Sequence, residues 1–126
     1  MKKLLILLFS ILISFNSYGE WKELGKDVDG DTYYIDTDTI KEHEGYVYWW
    51  VLSDYIKPNE YGDISLKTYV EGDCEVNRYK WLSLIYYKQP MGEGVGGADN
   101  PTGEWRYAPP DSIGGGILKY VCDYVD

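Results

Sequence analysis

The sequence predicts an α+β fold: a single twisted antiparallel sheet of about five to six strands, with one C-terminal helix packed on one face and tied by a disulfide. Three observations predict it. Before residue 89, apolar residues recur at every second position in short runs separated by Gly, Asp, Asn and Pro, the signature of strands and turns. Only the stretch from Pro109 to Asp126 changes period. There Ile117, Leu118, Val121, Cys122 and Val125 recur at three- and four-residue spacing and share one helical face, while Lys119 and Asp123 fall on the other. The only two cysteines are Cys74, in a strand-like run, and Cys122, in the middle of that helical face.

Residues 1–19 read as a cleaved signal peptide, and residues 20–126 as one domain. Lys2 and Lys3 precede an apolar run from Leu4 to Phe15, and Ser17 and Gly19 place small residues before Glu20. No cysteine lies near that cleavage point to carry a lipid anchor, and no later run is apolar and long enough to span a bilayer. Two of the twelve Lys/Arg leave with the leader while all 21 Asp/Glu remain, so the mature chain carries a net charge of about −11. Such an anion repels nucleic acid and anionic lipid. The compartment favours one disulfide between Cys74 and Cys122, two buried free thiols being the alternative. In the chain-entropy view, closing a loop of this length stabilises the fold by about 4 kcal/mol.

The elements follow in order. Trp21 to Gly25 forms a first strand, Asp29-Gly30 a hairpin turn and Thr32 to Asp36 a second strand. Asp36 to Ile40 is a tight corner of backbone-bonding Asp and Thr, and Lys41 to Gly45 a polar turn. Tyr46 to Ile56 is the strongest strand. Val47, Trp49, Val51 and Tyr55 point one way and Tyr46, Tyr48, Trp50 and Leu52 the other, so both faces are apolar and both need cover. Lys57 to Asp63 is an acidic loop. Ile64 to Cys74 alternates with Cys74 on the helix side, and Arg78 to Lys88 presents Tyr79, Trp81, Ser83, Ile85 and Tyr87 on one uncharged face. Gln89 to Glu104 is a Gly- and Pro-rich loop expected to be mobile, and Trp105 to Ala108 a short edge strand. The helix is capped by Asp111 or Ser112. Every aromatic beyond the leader is Trp or Tyr, side chains suited to surfaces that are half buried or meet a partner.

Residue chemistry points away from catalysis. Asp27, Asp29, Asp31 and Asp38 match positions of a calcium loop, yet Thr32 stands where that loop needs Gly, and the flanks are strands. Gly92, Gly94 and Gly97 satisfy G-x-G-x-x-G, but Pro101 rather than a helix follows, and Glu93 opposes a phosphate. His43 is the only histidine, set between Glu42 and Glu44 without a nucleophile to activate. No catalytic residue, metal site or cofactor is assigned.

Tyr33-Tyr34-Ile35-Asp36 with Thr39-Ile40, the core at Trp50, Leu52, Asp54 and Tyr55, and Asp73-Cys74 leading to Arg78 form an ordered signature. Tyr86-Tyr87, Met91-Gly92-Glu93-Gly94, Glu104-Trp105, Pro110-Asp111-Ser112 and Val121-Cys122 complete it. Over nearly all of its mature length the chain resembles the surface-adhesin protein E family of Gram-negative bacteria. The resemblance implies about six antiparallel strands with a C-terminal helix tied by a disulfide to the concave side of the sheet. It further implies dimerisation and binding to host matrix or plasma proteins. The expected function is an exported, non-enzymatic protein-binding module, with Tyr46, Tyr48 and Trp50 as its binding residues. The alternative is a periplasmic structural or envelope accessory protein that self-associates through the same aromatic face. The expected location is the periplasm, the cell surface or the medium.

Overall fold

The computed structural model describes residues 21–126, so the signal peptide expected at residues 1–19 lies outside the described residues. Strands β1 (Trp21–Lys26) and β2 (Thr32–Asp36) form a hairpin, and β3 (Lys41–His43) and β4 (Tyr46–Asp54) a second one. Then come β5 (Ser65–Asp73), β6 (Arg78–Tyr87), β7 (Gly96–Asp99), β8 (Arg106–Tyr107) and the helix α1 (Ile113–Val125). All paired strands are antiparallel, in the order β1-β2-β4-β5-β6-β7. β3 continues the rank of β2 along β4, and β8 continues the rank of β7 along β6. Among the described residues, eight strands therefore fill the roughly six ranks expected from the sequence.

Turn chemistry sets the register. At the first hairpin Gly30 takes φ +90°, and the Asp27 carboxylate accepts from the N–H groups of Asp29 and Asp31 and from the Tyr33 hydroxyl. At the corner after β2, the Asp36 carboxylate accepts from the Asp38 N–H and closes a single 3₁₀ turn, Thr37–Thr39. The polar turn read at Lys41 to Gly45 is shorter than expected. Lys41 to His43 pairs with β4, and only Glu44-Gly45, both at positive φ, makes the reversal.

The helix begins where expected, with the Ser112 side chain accepting from the Gly115 N–H. Its Leu118 and Val121 are fully buried against Val47, Trp49, Val51 and Val70, with Ile35 and Ala108 in the same cluster. The closest approach is at Gly72. A Cβ placed there would lie 2.7 Å from the Trp49 ring and 2.8 Å from Leu118, so the absent side chain lets indole and helix nest on the strand. Two residues on, Cys74 is bonded to Cys122 across 48 positions, with Cα atoms 5.9 Å apart. The disulfide is the one expected from the sequence.

One strand departs from strict alternation. Tyr69 pairs with Ser83 but Val70 with Trp81, so β6 carries an extra residue, Leu82, as a bulge. Tyr79 and Trp81 pack on the helix side, and beyond the bulge Leu84 and Tyr86 take that side. Ile85 and Tyr87 are thereby turned to the opposite face, where their side chains lie against Gly96 of the neighbouring strand β7. The single uncharged face read for Tyr79, Trp81, Ser83, Ile85 and Tyr87 is corrected accordingly, because the inserted residue inverts the parity.

Replacing Cys74 with Ser is expected to lower the melting temperature by roughly 10 °C or more, read by circular dichroism, with reductant producing the same loss in the wild type. Gly72→Ala is expected to destabilise by about 1–3 kcal/mol in urea titration, since neither the Trp49 ring nor the helix has room to retreat. An unchanged midpoint would show that the helix can lift.

Candidate functional site

The face of β4 turned away from the helix carries the three residues singled out from the sequence. Strand alternation brings Tyr46, Tyr48 and Trp50 onto it, all half-buried. Pairing with β5 adds Tyr69, opposite Trp50. Tyr69 is the hub of an aromatic row, its ring centroid 4.8 Å from that of Trp50 and 6.1 Å from that of Tyr48. The Tyr48 hydroxyl donates to Glu71 at 2.7 Å.

The question left by the sequence, what covers this face, is answered in part by the chain itself. The segment after β6 returns across it in two places. At one end the 3₁₀ turn Pro90–Gly92 sits on Leu52 and Lys67, so close that a Cβ on Gly92 would lie 3.3 Å from Leu52. It is held by the Met91 N–H donating to Asp54 and the Gly92 N–H donating to the Ser65 hydroxyl, which in turn donates to the Gln89 carbonyl. Leu52 is 0% exposed as a result. At the other end Trp105 packs 5.4 Å from Tyr46, with Arg78 at 4.3 Å and Lys80 at 4.4 Å from its ring. The loop expected to be mobile, Gln89 to Glu104, thus contains a 3₁₀ turn and strand β7, and Trp105, read as the start of an edge strand that begins only at Arg106, anchors on the face instead. Between the two covers the Trp50–Tyr69–Tyr48 row remains half open.

The carboxylates beneath are paired. Glu71 and Asp73 are buried, and each meets one cation, Lys80 at 3.3 Å and Arg78 at 3.1 Å. The same two cations stack on Trp105, so charge pairing and aromatic contact form one network. Trp105, Arg78, Lys80 and Tyr69 were not singled out as site residues. Tyr69 was legible from the parity of its strand, whereas Trp105 reaches the face through a loop path without periodicity.

Other sequence candidates lie elsewhere. His43 is exposed at the end of β3, 3.7 Å from Glu44. Asp27, Asp29 and Asp31 form the first hairpin tip, and Asp31 also accepts from the Ile56 N–H. Among the described residues no three His, Cys, Asp or Glu side chains cluster as a metal site requires, and no helix is long and apolar enough to cross a membrane.

An open antiparallel sheet, clamped by a disulfide to one helix and with an aromatic row on its far face, defines the class of fold. The surface-adhesin protein E family profile matches residues 21–123, and the chain belongs to that family. Its fold is that of Haemophilus influenzae protein E. Crystal form II of that protein matches with a TM-score of 0.62 at 18% identity, covering 84% of this chain and 90% of that one. The selenomethionine form matches with a TM-score of 0.60 at 17% identity, covering 82% and 85%. A structure from a non-typeable strain matches with a TM-score of 0.51 at 18% identity, covering 82% and 72%. No individually curated protein matches the sequence.

The hydrogen bond to Glu71 pushes the Tyr48 hydroxyl up to about 12, and burial does the same for Tyr55 on the helix side. Tyrosines of the unfolded chain ionise near 10.0. The folded state therefore holds these protons more tightly, a contribution complete below pH 10 and lost as pH rises toward 12. Urea midpoints are expected to be insensitive to these groups below pH 10 and to fall steeply above it. Tyr48→Phe should flatten part of that fall, and an unaltered profile in the variant would show that the Glu71 contact contributes nothing.

Proposed function

We propose that the chain is an exported, non-enzymatic adhesin-type module that binds another protein through the half-open row of Tyr48, Trp50 and Tyr69, with Tyr46 at its margin. The observation that carries this reading is the row itself. Three aromatics in mutual contact sit between two covers supplied by the chain and retain contact area that a partner can bury. Such side chains bring large area with few rotors to freeze, which is why they dominate protein recognition. Family membership supports the adhesin class, and a host matrix protein is the partner that this class suggests. The strong negative charge of the chain favours a partner with a basic rim.

Trp50→Ala is expected to weaken binding to immobilised host matrix proteins at least tenfold while leaving the melt within a few degrees. Sedimentation of wild type and variant tests the same face for self-association. A tight dimer abolished by Trp50→Ala would assign the row to a second copy and favour a periplasmic accessory role. Binding and oligomeric state both unchanged would remove the row from consideration. Protease added to intact cells and then to cells with a permeabilised outer membrane separates surface display from periplasmic residence.

A further inference from the structure

The helix-bearing face holds a second feature, independent of the aromatic row. α1 crosses the Val47–Trp49–Val70–Gly72 end of the sheet and leaves the other end of the same face bare. There a groove of about 330 Å³ opens beside the first turn of the helix. Its floor is Ser53, Leu66 and Thr68 of β4 and β5, and its walls include Trp81, Tyr86 and Ile113. The volume lies within the range of about 300–1,000 Å³ typical of small-molecule sites.

Two further observations distinguish it from an accidental gap. The bulge at Leu82 places Leu84 and Tyr86 in this groove. With strict alternation from Trp81, those positions would fall on the far face and Ser83, Ile85 and Tyr87 would line the groove. Its lining is also entirely uncharged, although 26% of the chain is charged. The polar side chains among its lining residues carry hydroxyl or indole groups, Ser53, Thr68 and Tyr55 among them. Burial holds the Tyr55 hydroxyl protonated, so it can donate at any ordinary pH.

We infer that this groove binds a small neutral aromatic molecule carrying a carbonyl or hydroxyl oxygen. Ring faces of Trp and Tyr suit a flat apolar body, and the hydroxyls suit one or two polar atoms on it. An anion finds no cation in the groove to replace its water and meets the negative field of the whole chain. A bound cation finds no carboxylate there. Neutrality of the ligand follows from both.

The test uses the purified, disulfide-intact chain and two fluorescent probes, neutral Prodan, which carries a ketone, and anionic anilinonaphthalene sulfonate. Prodan is expected to bind at one per chain with blue-shifted emission, at least tenfold more tightly than the sulfonate. Leu66→Trp, a substitution at a half-buried position that fills the groove, should weaken Prodan at least tenfold, and Trp50→Ala on the opposite face should leave it unchanged. Methyl NMR of the wild type covers the case in which Leu66→Trp fails to fold. Prodan should shift Leu66, Leu84 and Ile113 and leave Leu52 and Ile85 in place. Equal or tighter binding of the sulfonate, non-saturating binding, unchanged affinity in a folded Leu66→Trp chain, or shifts centred on Leu52 and Ile85 would each overturn the assignment.

Discussion

A mismatch of areas governs this molecule. Six ranks of strand spaced about 4.8 Å apart span roughly 25 Å, and nine- or ten-residue strands run about 30 Å. A helix of 13 residues is about 20 Å long and 10 Å wide, so it covers less than half of one face. Apolar surface left over on either side must be managed by something other than a second layer of regular structure. The composition answers this constraint. Beyond residue 19 the chain has no Phe, and its large aromatic side chains are Trp and Tyr, which can bury a ring while keeping a polar atom wet. The disulfide answers it too, since a helix with so little contact area gains most from a covalent constraint.

The two faces meet the shortage differently. On the helix side the cover is deep but local. Gly72 lets the indole and Leu118 sink onto the strand, and the face beyond is left as a groove. On the far side the cover is thin and spread out, two touches of an irregular segment, each fixed by polar contacts at its margin. Burying Glu71 and Asp73 on that side is tolerable because each carboxylate meets a cation whose own charge rests on Trp105. The exposed sheet is thus narrowed to a small aromatic strip rather than left as an open plane.

Period and turn chemistry explain what could be read in advance. The alternation in Tyr46 to Asp54, the Asp29-Gly30 reversal, the Ser112 cap and the helical stripe that carries Cys122 each follow from local rules, and each is found. The family signature pointed to the same sheet, helix and disulfide, and its match spans residues 21–123. What escaped reading was non-local. A bulge adds one residue without changing composition, so the parity of Ile85 and Tyr87 could not be fixed from the pattern of β6 alone. Lys41 to His43 is too short and too polar to signal a strand and pairs because β4 lies beside it. Trp105 is placed by Tyr46, Arg78 and Lys80, which are 59, 27 and 25 positions away. Of the candidate surface, the aromatic residues were legible and their covers were not.

The position of the clamp along the chain also ties distant elements together. Cys74 stands at the β5–β6 reversal, but its partner lies in α1, which follows all eight strands. The hairpins can zip one after another as they appear, since their contacts are close in sequence. Trp49, Val51 and Val70 nonetheless stay uncovered until the last element arrives. Docking of the helix thus both covers the core and brings the second sulfur within reach of the first.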